Sequence, residues 1–374
     1  MWSQARRIDE RVAGAFVTKA RILEISSYPP PRAGWNVRVE FLKKYLTSCG
    51  HECVVLNIGT NRTTPSDEYE TVMNGLDYAR KLVRFSRKGF VAHVHVNGAS
   101  PKGFVLTIAA EVLNLLSGRR CFLTFHAGVE QIYFPRQKSR LLVPVFWLMF
   151  SIPRRIICNS EEVKTKIVEY GIAPDKIVPI PAFSRQYLER SSASLPTDVN
   201  TFFGRFEHVV FCYIKMRRLF FPEATVAAFA RLAARRGDVG LLLCGVAGYR
   251  DEGIWPVVQA RLGQPDLRDR VLVVEDLRHD LFLQALGRSS VCLRTHLSDG
   301  VCSSVLEALS LRVPVVAVQN HTRPADVITY DPADEEGLAD ILDDVLERRD
   351  QIVLALQPIP TRDTLAEEVQ LLTS

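Results

Sequence analysis

The sequence lacks the features that mark zinc-binding, exported or membrane-spanning proteins. None of its eight cysteines belongs to a Cys-x-x-Cys pair, and several lie in apolar runs typical of buried strands. This pattern favours cysteines as small hydrophobic residues of a reduced, cytosolic protein and argues against a zinc site. The longest apolar run, Leu141–Ile152, has about a dozen residues and contains Pro144, whereas a membrane-spanning helix needs roughly 20.

The first twenty residues also lack the continuous apolar core of a signal peptide, so export is not indicated. They show a different pattern, in which apolar residues recur at helical spacing with basic residues among them: Trp2, Ala5, Ile8, Val12 and Phe16. Such a helix suits the surface of an anionic membrane. The alternatives are a helix that packs on the domain and a frayed terminus.

The net charge of +5 conceals an asymmetry between the two halves of the chain. Met1–Arg190 holds 28 basic and 16 acidic residues, a balance of +12, and the remainder holds 19 and 26, a balance of −7. The basic first half predicts an anionic partner, either an acidic lipid surface or a phosphate-bearing acceptor. Nucleic acid is not expected, because no basic-aromatic motif of a nucleic-acid module is present.

Strand-like apolar runs alternate with helical stretches along the whole chain, which predicts parallel sheets covered by helices on both faces. At 374 residues the chain suits two domains. We expect two Rossmann-like α/β domains that face a cleft, residues 1–190 and 191–374, joined by a linker at Ser191–Asn200. Whether the last helix returns to the first domain is left open. The predicted strands are Arg21–Ile25, Glu52–Asn57, Val91–Val96, Cys121–Thr124, Arg155–Cys158, Ile177–Ile180, Val209–Cys212, Gly240–Cys244, Val271–Val274, Val291–Leu293 and Val313–Ala317.

The segment Asp299–Ala317, DGVCSSVLEALSLRVPVVA, is the most informative part of the sequence. It places Asp299 and Glu307 eight residues apart, and the small residues between them lead into an apolar helix. Free backbone N–H groups and a helix N-terminus then face the cleft, where anions bind well. Glu307, one turn into the helix, is placed to accept hydrogen bonds from the vicinal hydroxyls of a ribose. The alternative is that both carboxylates lie on the surface at helix boundaries.

This segment resembles the signature of family-4 glycosyltransferases of the GT-B fold, in which two glutamates are separated by seven residues. Here Asp299 replaces the first glutamate. Further blocks match in order, among them SYPPPRAGWNVRVEFLKKYLTSCGHECVVL, HVHVNG, LTFHAG and IICNSEEVKTKIVEYGIAPDKIVPIP. The stretch Pro181–Phe183 departs from the family. The resemblance implies a retaining transferase that uses a nucleoside diphosphate sugar.

The resemblance also implies two cations on the loop after the first strand of the second domain, where this chain has YIKMRR. Lys215 matches the family's arginine. The family's lysine has no clean counterpart, since Phe220 or Phe221 takes its place, and we expect Arg217 or Arg218 to substitute. The alternative is that these are solvated loop charges. No Asp-x-Asp triplet is present to recruit a metal, so we expect no metal and no cofactor besides the donor.

In the family a histidine at the position of His126 contacts the donor sugar, and its imidazole is expected to donate a hydrogen bond near the reacting carbon. A structural histidine is the alternative. His93 and His95, two apart on the preceding strand, are expected to be core or supporting groups. Gly34 and Gly245 are expected to let the ligand approach the backbone, or else to serve only a turn or a strand end. The remaining residues expected around the diphosphate are Gly300, Val301, Cys302 and Ser303.

Together these observations predict a metal-independent hexosyltransferase with His126, Lys215 and Asp299 as catalytic residues. Its acceptor is expected to be a polysaccharide or lipid-linked intermediate on the basic first domain, in the cytoplasm or at the inner face of the plasma membrane. One alternative is another sugar enzyme of the same fold, such as a phosphorylase or epimerase. The other is a weak or inactive protein that binds a nucleotide-sugar or a partner glycosyltransferase.

Overall fold

Two six-stranded parallel sheets make up the framework of the computed structural model, which describes residues 19–30, 32, 34–129, 131–189, 193–247, 250–297, 302–320, 323–359 and 362–374. The predicted helix at Trp2–Phe16 lies outside these residues. The predicted α/β fold with two Rossmann-like domains is confirmed. Within the described residues, no helix has the length and apolar character needed to cross a membrane.

The first sheet has the order β2-β1-β3-β4-β5-β6. Its strands are β1 Arg21–Ser26, β2 Glu52–Asn57, β3 Val91–Val96, β4 Phe122–Phe125, β5 Arg155–Cys158 and β6 Ile177–Pro179. The helices between them are α1 Gly34–Ser48, α2 Gly75–Arg87, α3 Pro101–Leu116, α4 Val143–Ser151 and α5 Glu161–Val168. Local sequence fixes their starts: the side chain of Ser100 caps α3 by accepting from the Gly103 N–H, and Pro101 follows as the first helical residue.

The second sheet has the order β12-β11-β10-β7-β8-β9. Its strands are β7 His208–Tyr213, β8 Val239–Cys244, β9 Val271–Val274, β10 Val291–Arg294, β11 Val315–Val318 and β12 Ile328–Tyr330. The helices are α6 Thr197–Arg205, α7 Pro222–Arg235, α8 Trp255–Leu262, α9 His279–Arg288, α10 Ser303–Ser310, α11 Glu335–Glu347, α12 Arg349–Ala355 and α13 Thr364–Thr373. The predicted linker is therefore shorter than expected, because α6 begins at Thr197 and buries Val199 and Phe202.

The last helix, α13, packs against α1 of the first domain. It contributes three apolar side chains to a buried cluster with strands β1 and β4 and helix α1, whose members include Ile22, Leu42, Leu46, Phe122, Phe183, Tyr187, Leu365, Val369 and Leu372. Its start is fixed by Asp363, whose side chain accepts from the Ala366 N–H. Arg38 of α1 and Glu368 of α13 form an ion pair of 2.9 Å with both side chains only 1% exposed.

Because all strands within each sheet are parallel, their carboxyl ends lie at one edge of the sheet. In open α/β sheets ligands bind beyond that edge. The two domains meet there, so loops that follow strands of both sheets enclose a single cleft.

Candidate functional site

Two adjoining cavities lie in the cleft between the domains. The first has a volume of about 270 Å³ and the second about 640 Å³. Five described residues line both of them: Arg32, Gly34, Tyr213, Arg294 and His296. The cavities are therefore neighbouring parts of one site, with the second reaching further into the first domain.

The first cavity is a mostly apolar pocket of the second domain that ends at a carboxylate. Its walls include Tyr213, Leu277 and Phe282, and Glu307 of α10 closes it. Glu307 is only 3% exposed. Its Oε1 lies 2.9 Å from Nε2 of His279, while Oε2 makes no hydrogen bond within the described part of the chain. The pocket therefore suits a flat, largely apolar group that carries hydroxyls.

His279, the first residue of α9, is held by aromatic side chains of the first domain. Its ring makes edge contacts with Phe41 at 5.3 Å and Tyr187 at 6.1 Å between ring centroids, and it stacks on Phe282 of its own domain. These contacts fix the ring that bonds Glu307. The orientation of the Glu307 carboxylate thus depends on both domains.

Positive charge is concentrated where the second cavity meets the second domain. Lys215 lies on the loop after β7, and its Nζ donates to the carbonyls of Gly245 and Ala247. An ammonium group has three donors, so one remains for a ligand. Burial lowers the pKa of Lys215 below its ordinary value. Arg217 also lines this cavity, whereas Arg218 lines neither cavity.

Arg294, at the end of the central strand β10, adds a second cation. It is 7% exposed and lines both cavities. Its guanidinium lies over the rings of Tyr213 and Phe220 at 5.3 and 5.4 Å from their centroids. Aromatic faces attract cations, so these contacts hold the charge in place. Phe220, one of the two residues expected in place of the family's lysine, thus holds a neighbouring cation in position.

Direct bonds between the domains cross the cleft. Arg32 pairs with Asp276 at 3.1 Å, and its carbonyl accepts from the Tyr213 hydroxyl at 3.1 Å. Ser303, at the start of α10, donates to the carbonyl of Ala182 at 3.0 Å. Of the residues expected to hold the diphosphate, Ser303 and Cys302 do line the first cavity, and Ser303 also joins the domains.

Behind the second cavity lies a buried hydrogen-bonded network from three strands of the first sheet. The two oxygens of Glu24 lie 3.0 Å from Nδ1 of His93 and 2.6 Å from Nε2 of His95. His95 Nδ1 in turn lies 2.8 Å from Nε2 of His126, and His93 Nε2 lies 2.7 Å from the Thr124 hydroxyl. Glu24, His93 and Thr124 are fully buried.

The network sets the charge of its members. Burial alone would raise the pKa of Glu24, but its contacts with His93 and His95 lower it to about 2. The pKa of His95 is lowered by burial and by His93. The pKa of His126 is held well below its usual range by burial, by His95 and by Arg38. The Glu24 carboxylate therefore lies next to a neutral His95, which in turn contacts a neutral His126.

His126 follows β4 at the edge of the cleft, as expected, but its ring is covered by Trp35. The rings meet edge to face at 5.2 Å between centroids. Trp35 and His95 line the second cavity, and His126 is not among the described residues that do. The ring remains partly exposed.

Gly34 and Gly245 differ in whether the fold requires a glycine at their position. Gly34 is the first residue of α1, and a Cβ built there meets no atom within 4 Å, so the space above it is open. Gly245 has φ of +87°, and its Cβ would lie 2.4 Å from the Tyr213 ring. The protein itself therefore requires a glycine at 245, whereas at 34 it does not. Asp299, Gly300 and Val301 lie outside the described residues.

Sequence reasoning did not find Arg294, Tyr213, His279 or Glu24 as parts of the site. Arg294 and Glu24 each interrupt an apolar strand with a charge, which was an available signal, because charged residues are rarely buried without a partner. Tyr213 and His279 carried no such signal. Their roles follow from contacts with residues far away in the chain.

The comparisons with known proteins agree with this architecture. Residues 33–183 match the family model described as Glycosyltransferase Family 4. No curated protein is significantly similar in sequence. HepE of Anabaena in complex with UDP-glucose has a TM-score of 0.66 at 14% identity, over 94% of both chains.

Two further solved structures are similar in fold to this chain at equally low sequence identity. A glycosyltransferase of Rickettsia africae has a TM-score of 0.64 at 16% identity, covering 95% of this chain and 98% of that chain. MnaA of S. aureus, solved with UDP, has a TM-score of 0.64 at 15% identity, covering 94% and 95%. The chain therefore has the GT-B fold, and its residues 33–183 are similar to glycosyltransferase family 4.

Proposed function

We propose that this protein is a retaining glycosyltransferase that moves a hexose-type sugar from a nucleoside diphosphate to a polysaccharide or lipid-linked acceptor. The observation that supports the proposal is that two cavities of different character adjoin in the cleft. The apolar pocket that ends at Glu307 suits a nucleoside, and the adjoining cavity with Lys215 and Arg294 suits a diphosphate. Retention of configuration is supported by the family resemblance.

The chemistry follows from the charges in the cleft. Breaking the bond between sugar and diphosphate leaves negative charge on the leaving group, and preorganised cations that face this charge lower the barrier. Lys215 and Arg294 are fixed by carbonyl and aromatic contacts, so they need little rearrangement. Glu307 binds the ribose, His126 contacts the sugar, and the acceptor approaches from the basic first domain.

A thermal-shift screen with UDP-, GDP-, ADP- and dTDP-sugars tests the proposal. HepE was solved with UDP-glucose and MnaA with UDP, so UDP-sugars come first. A donor at 100 times its dissociation constant stabilises the folded state by about 2.7 kcal/mol, which raises the melting temperature. If one sugar shifts the melting temperature but is neither transferred nor hydrolysed, the protein is a nucleotide-sugar-binding member of the fold. If no nucleotide-sugar binds, the proposal is wrong.

We expect Glu307→Gln to weaken donor binding at least about tenfold. The amide can still accept from His279, but it loses the negative charge, and hydrogen bonds to charged groups contribute about 1.5–3 kcal/mol. Titration calorimetry with the nucleoside diphosphate measures the change. Glu347→Gln is the control. Glu347 is exposed and lines neither cavity, so this variant should bind the nucleoside diphosphate as the native protein does. Equal affinities of the two variants would remove Glu307 from the donor site.

We also propose that the transfer needs no metal ion, because the cleft supplies its own cations and the sequence has no Asp-x-Asp triplet. Activity should therefore persist in excess EDTA. A loss on chelation that manganese or magnesium restores would show that the diphosphate is bound in another way.

The first domain carries a surface that fits an anionic membrane, and we include peripheral membrane binding in the proposal. Helices α3 and α4, which pack together, expose large apolar side chains, among them Val105 (68%), Leu116 (78%) and Trp147 (49%). Leu141 beside α4 is 92% exposed. Between residues 97 and 155 the sequence has eight basic and two acidic residues. Exposed apolar side chains on a basic stretch of the chain are typical of proteins that lie on lipid.

Binding to vesicles should require anionic lipid and weaken with salt, because such attraction is screened within roughly 8 Å at physiological ionic strength. The double charge reversal Lys138→Glu with Arg140→Glu should lower the partition coefficient at least about tenfold, at about 1 kcal/mol per basic residue. Reversing exposed Arg231 and Arg268 in the second domain is the matched control. Vesicle flotation measures both, and equal binding to neutral vesicles would contradict the proposal.

A further inference from the structure

The hydrogen bonds between Glu24, His95 and His126 have a direction, and that direction can be worked out one bond at a time. Glu24 is fully buried and remains a carboxylate. An ionised carboxylate only accepts hydrogen bonds. The nitrogen that contacts it, Nε2 of His95 at 2.6 Å, must therefore carry the proton.

The next bond follows from the neutral state of His95. A neutral imidazole has one N–H and one bare nitrogen, so Nδ1 of His95 is bare and accepts. Its partner is Nε2 of His126 at 2.8 Å, which must therefore donate. His126 is also neutral, which leaves its Nδ1 bare. That atom makes no hydrogen bond within the described part of the chain, and the ring is partly exposed.

We propose that Glu24 and His95 are positioning residues that fix the tautomer of His126, so that its Nδ1 offers a hydrogen-bond acceptor to a sugar hydroxyl. This inference rests on the proposed function and deepens it. It reverses the polarity expected from the sequence, in which the imidazole of His126 donates. An uncharged acceptor nitrogen favours a hydroxyl over a carboxylate or phosphate, so the bound sugar carries a neutral hydroxyl at this point.

The packing supports a fixed ring. The rings of His126 and His95 are nearly parallel, at 17° and 5.1 Å between centroids, as their hydrogen bond requires, and Trp35 contacts His126 from the side. Its backbone N–H donates to the carbonyl of Val96 at 2.7 Å. A ring held in this way cannot turn to exchange its two nitrogens without breaking these contacts. The remaining charged groups near it, Arg38 and Glu368, already pair with each other.

Nitrogen NMR of protein with ¹⁵N-labelled histidine tests the inference without any substrate. The His126 signals, identified by their loss in His126→Gln, should show a neutral ring with the proton on Nε2 between about pH 5.5 and 8. A proton on Nδ1, or a charged ring at neutral pH, would overturn the inference. The atoms of Glu24, His93 and His95 are also close enough to hold a metal ion. A stoichiometric bound metal, measured by elemental analysis, would overturn it as well, since Nε2 of His95 would then carry no proton.

Variants separate positioning from folding. In Glu24→Gln the amide can donate to His95 and invert both tautomers, so the Nδ1–H form of His126 should appear. The value of kcat/KM should fall about 10- to 100-fold, as when the partner that orients a functional histidine is removed. Binding of the free nucleoside diphosphate, which lies on the second domain, should not change. An unchanged kcat/KM in a folded Glu24→Gln protein contradicts the inference.

Thr124→Val is the matched control. It removes an equally buried hydrogen bond from the other end of the network, at His93, and the Thr124 hydroxyl makes no hydrogen bond to His126. In Thr124→Val the tautomers of His95 and His126 and the value of kcat/KM should equal those of the native protein. If kcat/KM instead falls as much as in Glu24→Gln, any damage to the network has the same effect, and the inference is contradicted. If Glu24→Gln does not fold, the ¹⁵N NMR spectrum of the native protein still tests the tautomer of His126. If the native protein shows the expected tautomer but no turnover, the proposed function fails and the assignment of the network stands.

Discussion

The variant Arg38→Met is expected to lose about 3–5 kcal/mol of its free energy of unfolding, the usual cost of removing one partner of a buried ion pair. The Arg38 Nε and Nη2 atoms lie 3.0 and 2.9 Å from the same oxygen of Glu368, and both side chains are 1% exposed. Without the guanidinium, the Glu368 carboxylate stays buried with no cation beside it. Urea unfolding measures the loss as a lower midpoint.

Two controls separate the buried charge from lost packing. The double variant Arg38→Met with Glu368→Leu removes both charges and should regain most of the lost stability, since apolar replacements of buried ion pairs are often neutral. Arg185→Met breaks the pair with Asp363, in which Arg185 is 64% exposed, at the same junction of α13. It should cost at most about 1 kcal/mol. If the double variant is no more stable than Arg38→Met, packing rather than charge explains the loss.

Lys215→Met is expected to lower kcat about 10²- to 10³-fold, the range for removing one preorganised donor from a transition state. KM should change less, because the charge that Lys215 faces develops only as the bond to the diphosphate breaks. Methionine keeps the contact with the Tyr213 ring, over which Nζ lies at 5.5 Å. Steady-state kinetics with the donor found in the thermal-shift screen measures the change.

Arg218→Met is the matched control for Lys215→Met. It removes a cation from the same loop, but Arg218 is exposed and lines neither cavity. Its kcat should stay within about threefold of the native value, as surface substitutions rarely have larger effects. If the two variants lose activity equally, the loss reflects the loop as a whole, and the proposed contact of Lys215 with the diphosphate is wrong.

The strands were predictable because buried parallel strands are continuous apolar runs between helical stretches. Four predicted strands, Glu52–Asn57, Val91–Val96, Arg155–Cys158 and Val271–Val274, agree with the structure at both ends. Val313 was wrongly placed in a strand. Its N–H closes the end of α10 on the carbonyl of Ala308, and Pro314 has no N–H to pair, so β11 begins at Val315.

The site residues that the sequence predicted either follow a strand directly or belong to the paired-carboxylate segment. Lys215 follows β7, and Glu307 lies one turn into α10 within the Asp299–Ala317 segment. The partners of these residues come from elsewhere. Glu307 meets His279, which is 28 residues away, and Arg32 meets Asp276 across 244 residues. Periodicity within a segment carries no information about such contacts, which depend on how helices pack within a domain and, for Arg32 and Asp276, on how the two domains face each other.

The position of α13 also determines when one part of the first domain can be completed during synthesis. Leu365, Val369 and Leu372 complete a cluster with Ile22 and Leu42, so this cluster lacks one wall until α13 has been made. At about 5–20 residues per second, the 185 residues from 190 to 374 take roughly 10–40 s to add. During that interval the buried faces of α1 and β1 stay uncovered. The first domain can thus close its main core, whose buried members end at Ile177, before the second domain is made, but its contact with α13 forms only afterwards.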